Sequence, residues 1–225
     1  MKTKSLEERI QRIEDIHEVT NLVDTYEFKL VGGQYDDVVE LFAKKTPGVR
    51  AEIGEWGVYE GTQGIKRLFG RGGLHESMQG NPETGMTPGV LFAQMNSTPV
   101  IEIAGDGKTA KGLWYAFGHS TFPVEGKPEP QAHWVMSKRV YDFVKEDGKW
   151  KIWHYKVYGI FYAPYDKGWV DVADTASKSH KDAFPEHLRA DSPCTYHWVY
   201  SPSSAVEYVP KVPEPYETFD ETFSY

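Results

Sequence analysis

Three residues of the sequence have side chains suited to proton transfer and charge stabilisation: His119, Tyr26 and Arg139. His119 lies near the end of the aromatic segment "GLWYAFGHSTF", residues 112–122, and its reference pKa of about 6.5 suits acid or base catalysis near neutral pH. Tyr26 could orient a substrate hydroxyl or donate to a leaving group. Arg139 could hold a phenolate, a carboxylate or a developing oxyanion. We expect His119 and Tyr26 to meet inside a closed pocket.

Each of these residues also has an ordinary structural interpretation. His119 could bond to backbone at a strand end, Tyr26 could be a core tyrosine with a satisfied hydroxyl, and Arg139 could be solvated. Lys29 follows Tyr26 by three helical positions. If desolvated, Lys29 could lower the pKa of that tyrosine or act as a base itself; a solvated surface lysine is the alternative.

Five further residues are predicted to contact a substrate: Tyr59, Gln94, Asn96, Trp114 and Ser137. The two amides alternate along one strand and therefore share a face, which suits recognition of substrate hydroxyls. The serine shares a strand face with Arg139. The tryptophan would add a flat apolar wall suited to a ring, and the tyrosine could reach the pocket mouth.

The sequence offers no signature of a metal or cofactor site. Cys194 is the single cysteine, so cysteine-rich metal sites and internal disulfides are excluded. The histidines in "HSTFP" and "AHW" lack the paired spacing of zinc ligands. The glycine-rich stretch "GRGGLHESMQG" does not follow a clear strand, so it is not a phosphate loop. We therefore expect no cofactor and no metal.

Charge and hydropathy restrict the partners and the location. The net charge is −8 without clusters of lysine and arginine, which argues against binding nucleic acid or an anionic membrane. No apolar run approaches the about 20 residues of a transmembrane helix. The charged N-terminal segment lacks the apolar region of a signal peptide, so a cytoplasmic location is expected.

The first third of the chain has the periodicity of helices. Residues 5–31 are predicted to form one helix, because Ser5 and Glu8 fit a capping box and apolar residues recur every three or four positions. A short helix is expected over residues 35–43, two short strands after it, and a third helix capped by Thr62. Residues 70–89 are predicted to form a mobile lid over the pocket, or else an inert surface loop.

Alternating strands dominate the sequence from residue 90 to 162. Asp-Gly dipeptides between them indicate hairpins. Helices followed by long antiparallel strands predict an α+β fold with the helices on one sheet face. We expect one domain over residues 1–162, and a C-terminal extension over residues 163–225 whose aromatic rings pack on its own or a neighbouring subunit.

Helix order, strand order and the segments "STPVIEIAGDGKTAKGLWY" and "YDFVKEDGKWKIWHY" resemble the SnoaL-like branch of the nuclear-transport-factor-2-like superfamily over about residues 5–160. The resemblance implies a cone-shaped α+β barrel with a pocket between helices and a strongly bent antiparallel sheet, and a dimer or trimer. Members include scytalone dehydratase, bile acid 7-alpha-dehydratase, polyketide cyclases, ketosteroid isomerase and a diarylpropane lyase that releases formaldehyde, none of which needs a cofactor. Other members only bind or assemble.

The family's catalytic positions match this sequence only in part. The helix-one tyrosine falls on Tyr26, but the aspartate after it falls on Val31, and one pocket histidine falls on Gln94. The strand acid/base position falls on or beside Gly118, where a bulge could turn His119 inward. A pocket asparagine of scytalone dehydratase is replaced by Arg139.

The resemblance and these substitutions together predict a cofactor-independent lyase acting on a hydroxylated aromatic small molecule. The loss of the aspartate–histidine pair favours C–C cleavage of the diarylpropane type over plain dehydration. A dehydratase, isomerase or cyclase in the same pocket is the first alternative. The second alternative is a non-catalytic module for ligand binding or assembly.

Overall fold

The N-terminal helix α1 (Leu6–Val31) supplies the frame against which the rest of the chain packs. It begins at Ser5, where the predicted capping box is formed: the Ser5 hydroxyl accepts from the Glu8 N–H at 3.1 Å, and the Glu8 carboxylate accepts from the Ser5 N–H at 2.6 Å. The predicted buried stripe is confirmed only beyond its first turns. Leu6 is 68% exposed and Ile13 is 67% exposed. Ile13 lies on the outward face of α1, because its neighbours Arg12 and Asp15 contact the sheet.

The structure is a computed structural model that describes residues 5–123, 126–173 and 184–225. Residues 124–125, in the strand-rich part of the chain, and residues 174–183 of the expected extension lie outside the described residues. The other helices are α2 (Tyr35–Glu40), α3 (Gly61–Phe69), α4 (Leu74–Gln79) and α5 (Gly168–Asp171). Single 3-10 turns span Gly54–Trp56 and Glu186–Leu188.

Two of these helices differ from the sequence prediction. Helix α3 begins one residue before Thr62, and Glu60 is its N-cap without a side-chain hydrogen bond, so Thr62 is not the cap. Helix α4 lies inside the segment expected to be a lid loop, 70–89. Glycine at its N-cap position and the absence of a side-chain cap explain why no start signal is visible.

Eight strands lie within the described residues. They are β1 (Arg50–Ile53), β2 (Gly57–Glu60), β3 (Gly80–Asn81), β4 (Gly85–Met86), β5 (Leu91–Ile103), β6 (Thr109–Phe122), β7 (Gln131–Glu146) and β8 (Lys149–Pro164). Strands β3 and β4 form a separate short hairpin, while the other six form one curved sheet in the order β2-β1-β8-β7-β6-β5.

The predicted α+β class, with helices packed on one face of a curved sheet, is confirmed. The predicted antiparallel sheet has one exception, since β1 runs parallel to β8. The expected Asp-Gly turns are present: Gly107 and Gly148 adopt φ values of 70° and 75°.

Strand alternation divides the sheet into an inner face, which meets α1, and an outer face. Along β6, Trp114, Ala116 and Ser120 are at most 2% exposed and point inward, whereas Tyr115 and Phe117 are 44% and 38% exposed and point outward. This parity decides which side chains of the long strands can reach the space between sheet and helices.

The C-terminal segment packs on its own chain. The Tyr216 carbonyl accepts from the Gly105 N–H at 2.8 Å and the Glu217 carbonyl accepts from the Asp106 N–H at 3.0 Å. Thr195 joins a buried group of charges on the outer face, where its N–H donates to Glu52 at 2.7 Å. The described part of the extension is therefore held by hydrogen bonds, although it forms little regular structure.

Candidate active site

A cavity of about 1180 Å³ lies between the inner face of the sheet and helices α1 and α4. Much of its wall is apolar and aromatic, with Trp56, Phe92 and Phe161 among the lining side chains. Polar groups project into it from α1, α4 and the four long strands β5, β6, β7 and β8. An apolar chamber with a few placed polar groups is the usual form of a small-molecule site.

Arg139 anchors the polar network at one end of the cavity. Its guanidinium forms an ion pair with Glu27 of α1, and it donates to Gln94 at 3.1 Å and to Asn96 at 3.3 Å. Asn96 also donates to Glu27 at 3.3 Å. Arg139 is 4% exposed, so its charge is neutralised by Glu27 rather than by solvent.

Several buried polar atoms around this network make no hydrogen bond within the described residues. Within the described residues, no hydrogen-bond partner is found for Arg139 Nε, Glu27 Oε2, the Ser137 hydroxyl or the Tyr141 hydroxyl. Arg139 and Ser137 both line the cavity. Buried donors and acceptors normally have partners, so this end of the cavity is prepared for a polar ligand group.

Three phenols surround the inner end of Arg139. Tyr26 and Tyr155 line the cavity with ring centroids 5.6 Å apart, and Tyr141 stacks on Tyr155 at 4.5 Å. Burial raises the pKa of Tyr26 well above its ordinary value, and the neighbouring phenols Tyr155 and Tyr141 add to that rise. Tyr26 is therefore a protonated hydrogen-bond donor at neutral pH.

His75 of α4 is a cavity residue that sequence reasoning missed. Its ring stacks on Phe69 with centroids 5.2 Å apart, and Phe69 in turn packs edge-on against Tyr26 at 5.5 Å. Burial lowers the pKa of His75 to about 3, so the imidazole is neutral at physiological pH. Its Nδ1 lies 3.3 Å from the Gln79 amide nitrogen, which orients the ring.

The structure does not bring His119 to Tyr26. His119 follows the outward parity of Tyr115 and Phe117 and is not among the cavity-lining residues. The expected bulge is absent at this point, because β6 pairs regularly with both neighbours and the register shift of β5 falls between Ser97 and Val100.

Gly118, the other position considered for a strand acid or base, cannot take over that role. A Cβ there would lie 2.0 Å from the Ala93 carbonyl oxygen of β5. The inward position is thus closed to any side chain, while the next residue points away.

Three other predicted site residues lie outside the cavity lining. Lys29 pairs with Asp37 at 2.6 Å on the surface rather than with Tyr26. Tyr59 is fully buried, and its hydroxyl donates to the Leu188 carbonyl at 3.1 Å. Trp114 is a core residue, 2% exposed, because inward-facing residues near that end of β6 meet the core rather than the cavity.

The remaining predicted site residues lie together at the Arg139 end of the cavity. Tyr26, Gln94, Ser137 and Arg139 line the cavity, and Asn96 bonds to Arg139 from the same strand as Gln94. Glu27 was not predicted, since a glutamate on a strongly charged helix carries no sequence signal of burial. The parity of Gln94 and Asn96 on β5 is what places both amides against one guanidinium.

The described residues contain no group of three or more histidine, cysteine, aspartate or glutamate side chains arranged to hold a metal ion. Within that same part of the chain, no helix is both long and apolar enough to cross a bilayer.

Residues 11–156 match the family model described as a SnoaL-like domain. Among solved structures, hexachlorocyclohexane dehydrochlorinase LinA-type3 from Novosphingobium barchaimii LL02 aligns with a TM-score of 0.55 at 13% identity, covering 69% of this chain and 93% of that chain. A scytalone dehydratase-like protein from Novosphingobium aromaticivorans DSM 12444 aligns with a TM-score of 0.53 at 11% identity, covering 70% and 91%.

A single-residue variant of a Mycobacterium tuberculosis protein of unknown function aligns with a TM-score of 0.51 at 16% identity, covering 78% of this chain and 96% of that chain. Among curated proteins, none matches the sequence. At these identities the structural likenesses establish the fold alone.

Proposed function

The chain belongs to the SnoaL-like domain family, and from that premise we propose that it is a cofactor-independent lyase acting on a hydroxylated aromatic small molecule. One observation carries this proposal: a neutral imidazole, a protonated phenol and a paired guanidinium face a single apolar cavity. Those three groups supply the acid, base and anion-stabilising functions of an elimination or a retro-aldol cleavage. The aromatic walls suit a ring-bearing substrate.

His75 is the proposed proton carrier. The Gln79 side-chain amide lies beside Nδ1 of His75. Its nitrogen donates to Nδ1 when Nδ1 is unprotonated, and after a 180° rotation of the amide its oxygen accepts from Nδ1–H, so Gln79 can support either neutral tautomer. In one tautomer Nε2 accepts a proton from the substrate, and in the other Nε2–H donates to a substrate oxygen. Because burial keeps the pKa of His75 near 3, the neutral ring is a weak base. The proposed transfer of a proton from the substrate through His75 to the leaving group is therefore concerted with the bond cleavage, without a stable protonated ring.

Arg139 is the proposed anion stabiliser. Its guanidinium is fixed by Glu27, Gln94 and Asn96 before any substrate binds, so it needs no reorganisation when negative charge develops. Tyr26 would donate its hydroxyl hydrogen to the same oxygen or to the leaving group. In the proposed C–C cleavage the substrate hydroxyl loses its proton, the C–C bond breaks to form the C=O of formaldehyde, and the electron pair passes to a substrate acceptor conjugated with the oxygen held at Arg139.

The test is turnover of a panel of hydroxylated one-ring and two-ring aromatics by the purified protein, with formaldehyde and dehydrated products measured by mass spectrometry. We expect His75→Gln to lower kcat by about 10²–10⁴-fold. His17→Gln replaces an exposed histidine of α1 and should leave kcat unchanged. An unchanged rate in His75→Gln would remove this residue from the mechanism.

The product identifies the reaction, since formaldehyde indicates C–C cleavage and loss of water indicates a dehydratase. A protein that binds panel members but converts none of them would instead support the non-catalytic alternative.

A further inference from the structure

A second polar cluster lines the same cavity away from Arg139, and neither the sequence prediction nor the proposed mechanism uses it. Ser120 of β6 and Tyr162 of β8 share a hydrogen bond of 2.8 Å between their hydroxyl oxygens. The ring of His133 on β7 stacks on Tyr162 with centroids 4.5 Å apart. All three side chains line the cavity.

This cluster has hydrogen-bonding capacity beyond its internal contacts. Ser120 is 1% exposed, and a serine hydroxyl offers one donor hydrogen and two acceptor lone pairs, of which the contact with Tyr162 uses only part. His133 Nδ1 is buried without a hydrogen-bond partner among the described residues, although the backbone of Gln131 and of Ser120 also interacts with the ring. Burial lowers the pKa of His133, so the ring is neutral and can act as donor or acceptor.

Strand register fixes the distance between the two polar ends. Ser120 pairs with His133, whereas Ala116 pairs with Ser137, the row that also holds Asn96 of the Arg139 network. Four positions along β7 separate His133 from Ser137, which corresponds to about 13 Å of strand. A single benzene ring with one hydroxyl does not span that distance.

The row between the two ends holds Gln94, Gly118, Val135 and Tyr162. The Gln94 amide is held by Arg139 at 3.1 Å and the Tyr162 hydroxyl by Ser120 at 2.8 Å. Val135 is therefore the apolar surface that separates the two polar ends, and Gly118 contributes no side chain on β6. The cavity thus has a polar end, an apolar middle and a second polar end.

We propose that Ser120, Tyr162 and His133 form a second polar subsite, which binds a hydroxyl at the far end of an elongated two-ring ligand whose first hydroxyl lies at Arg139. The inference rests on the proposed function for the location of the site and does not depend on turnover. It restricts the ligand class to molecules with two hydroxylated ends joined by an apolar linker.

The test compares three phenolic probes by isothermal titration calorimetry on the full chain: 4,4′-dihydroxybibenzyl, 4-hydroxybibenzyl and 4-ethylphenol. We expect the two-hydroxyl probe to bind about tenfold more tightly than 4-hydroxybibenzyl, the range of one hydrogen bond in a buried site. 4-Ethylphenol should bind more weakly than both because it leaves half of the cavity unfilled. Ser120→Ala and Tyr162→Phe should each abolish the tenfold preference.

Ser97→Ala, on an exposed part of β5, is the matched control and should keep the preference. Thermal unfolding of each variant checks that it is folded. The proposal is overturned if the two bibenzyls bind equally to the unmodified protein, if neither binds, or if the preference survives both subsite substitutions. If the preference depends on Ser120 but no probe or panel compound is turned over, the subsite is supported and the lyase proposal fails. If compounds are turned over but the preference is absent, the lyase proposal is supported and the subsite fails.

Discussion

Glu27 of the first helix and Arg139 at the centre of the sheet form an ion pair that is almost completely buried, with side-chain exposures of 12% and 5%. The pair connects the two layers of the fold at the end of the cavity. It therefore has two roles: it fixes the guanidinium for a ligand, and it links α1 to β7.

Breaking this ion pair should be costly. Arg139→Met leaves the Glu27 carboxylate buried without its partner and should lower the free energy of unfolding by about 3–5 kcal/mol. The double variant Glu27→Leu/Arg139→Met should recover most of that loss, because no buried charge remains. Urea unfolding of the single and double variants measures both effects. Losses that simply add in the double variant would contradict the pairing.

His119→Ala tests the strand parity directly. Because the side chain points away from the cavity, we expect kcat to stay close to that of the unmodified protein, without the about 10²–10⁴-fold loss of an acid–base group. Steady-state kinetics beside His75→Gln gives the comparison. A loss of that size in His119→Ala would mean that the histidine reaches the substrate.

The burial of His75 predicts a pH dependence of stability. Its pKa in the folded state, about 3, lies below the unfolded reference of about 6.5, so the unfolded chain binds more protons between these values. The stabilising contribution is present above about pH 6.5 and is lost as the pH falls, by about 2 kcal/mol between pH 7 and pH 5.

His75→Leu cannot titrate, so it should lose about that much less stability over the same interval in urea unfolding. His17→Leu, at an exposed site, should behave like the unmodified protein. Equal losses in all three proteins would argue that His75 is not buried as a neutral ring.

The buried hydrogen bonds of Thr195 attach the C-terminal extension to the sheet, and their loss should be measurable as a loss of stability. The Thr195 hydroxyl accepts from Lys156 Nζ at 2.6 Å and donates to Glu52 at 2.9 Å, and both charged partners are at most 2% exposed. Thr195→Val should therefore cost about 1–3 kcal/mol of unfolding free energy. Thr218→Val, exposed in the same extension, should cost less than about 0.5 kcal/mol. Similar values for both variants would show that the extension is only loosely attached.

The outer face of β5 and β6 predicts self-association. Met95, Tyr115 and Phe117 are 67%, 44% and 38% exposed and lie on neighbouring strands, and such apolar patches mark interaction surfaces. We expect a homo-oligomer of the 25.6 kDa chain by light scattering. Met95→Glu should shift it toward the monomer, whereas Met86→Glu, in β4, should not. A monomer at every concentration would refute the expectation.

The sequence predicted those parts of the fold that are set by local chemistry. Ser5 and Glu8 indicate the start of α1, and the Asp-Gly pairs indicate two hairpins, because each signal needs only neighbouring residues. The parallel pairing of β1 with β8 could not be predicted in this way, since it joins segments about 100 positions apart.

The candidate site was only partly predictable. Tyr26, Gln94, Ser137 and Arg139 follow from periodicity, whereas His75 lies on a six-residue helix among glycines that carries no cap signal. The outward direction of His119 was available from sequence: once Trp114 is assigned inward, alternation sends residue 119 outward. Only a bulge before residue 119 would reverse this direction, and β6 has no bulge there.

The backbone of β5 passes so close to Gly118 that this position accepts only glycine. A Cβ there would lie 2.0 Å from the Ala93 carbonyl oxygen, so a side chain can be introduced only if β5 moves away from β6. An engineer who wants a new proton donor in this chamber should therefore leave residue 118 unchanged and start from the short helix opposite, where His75 already faces the cavity.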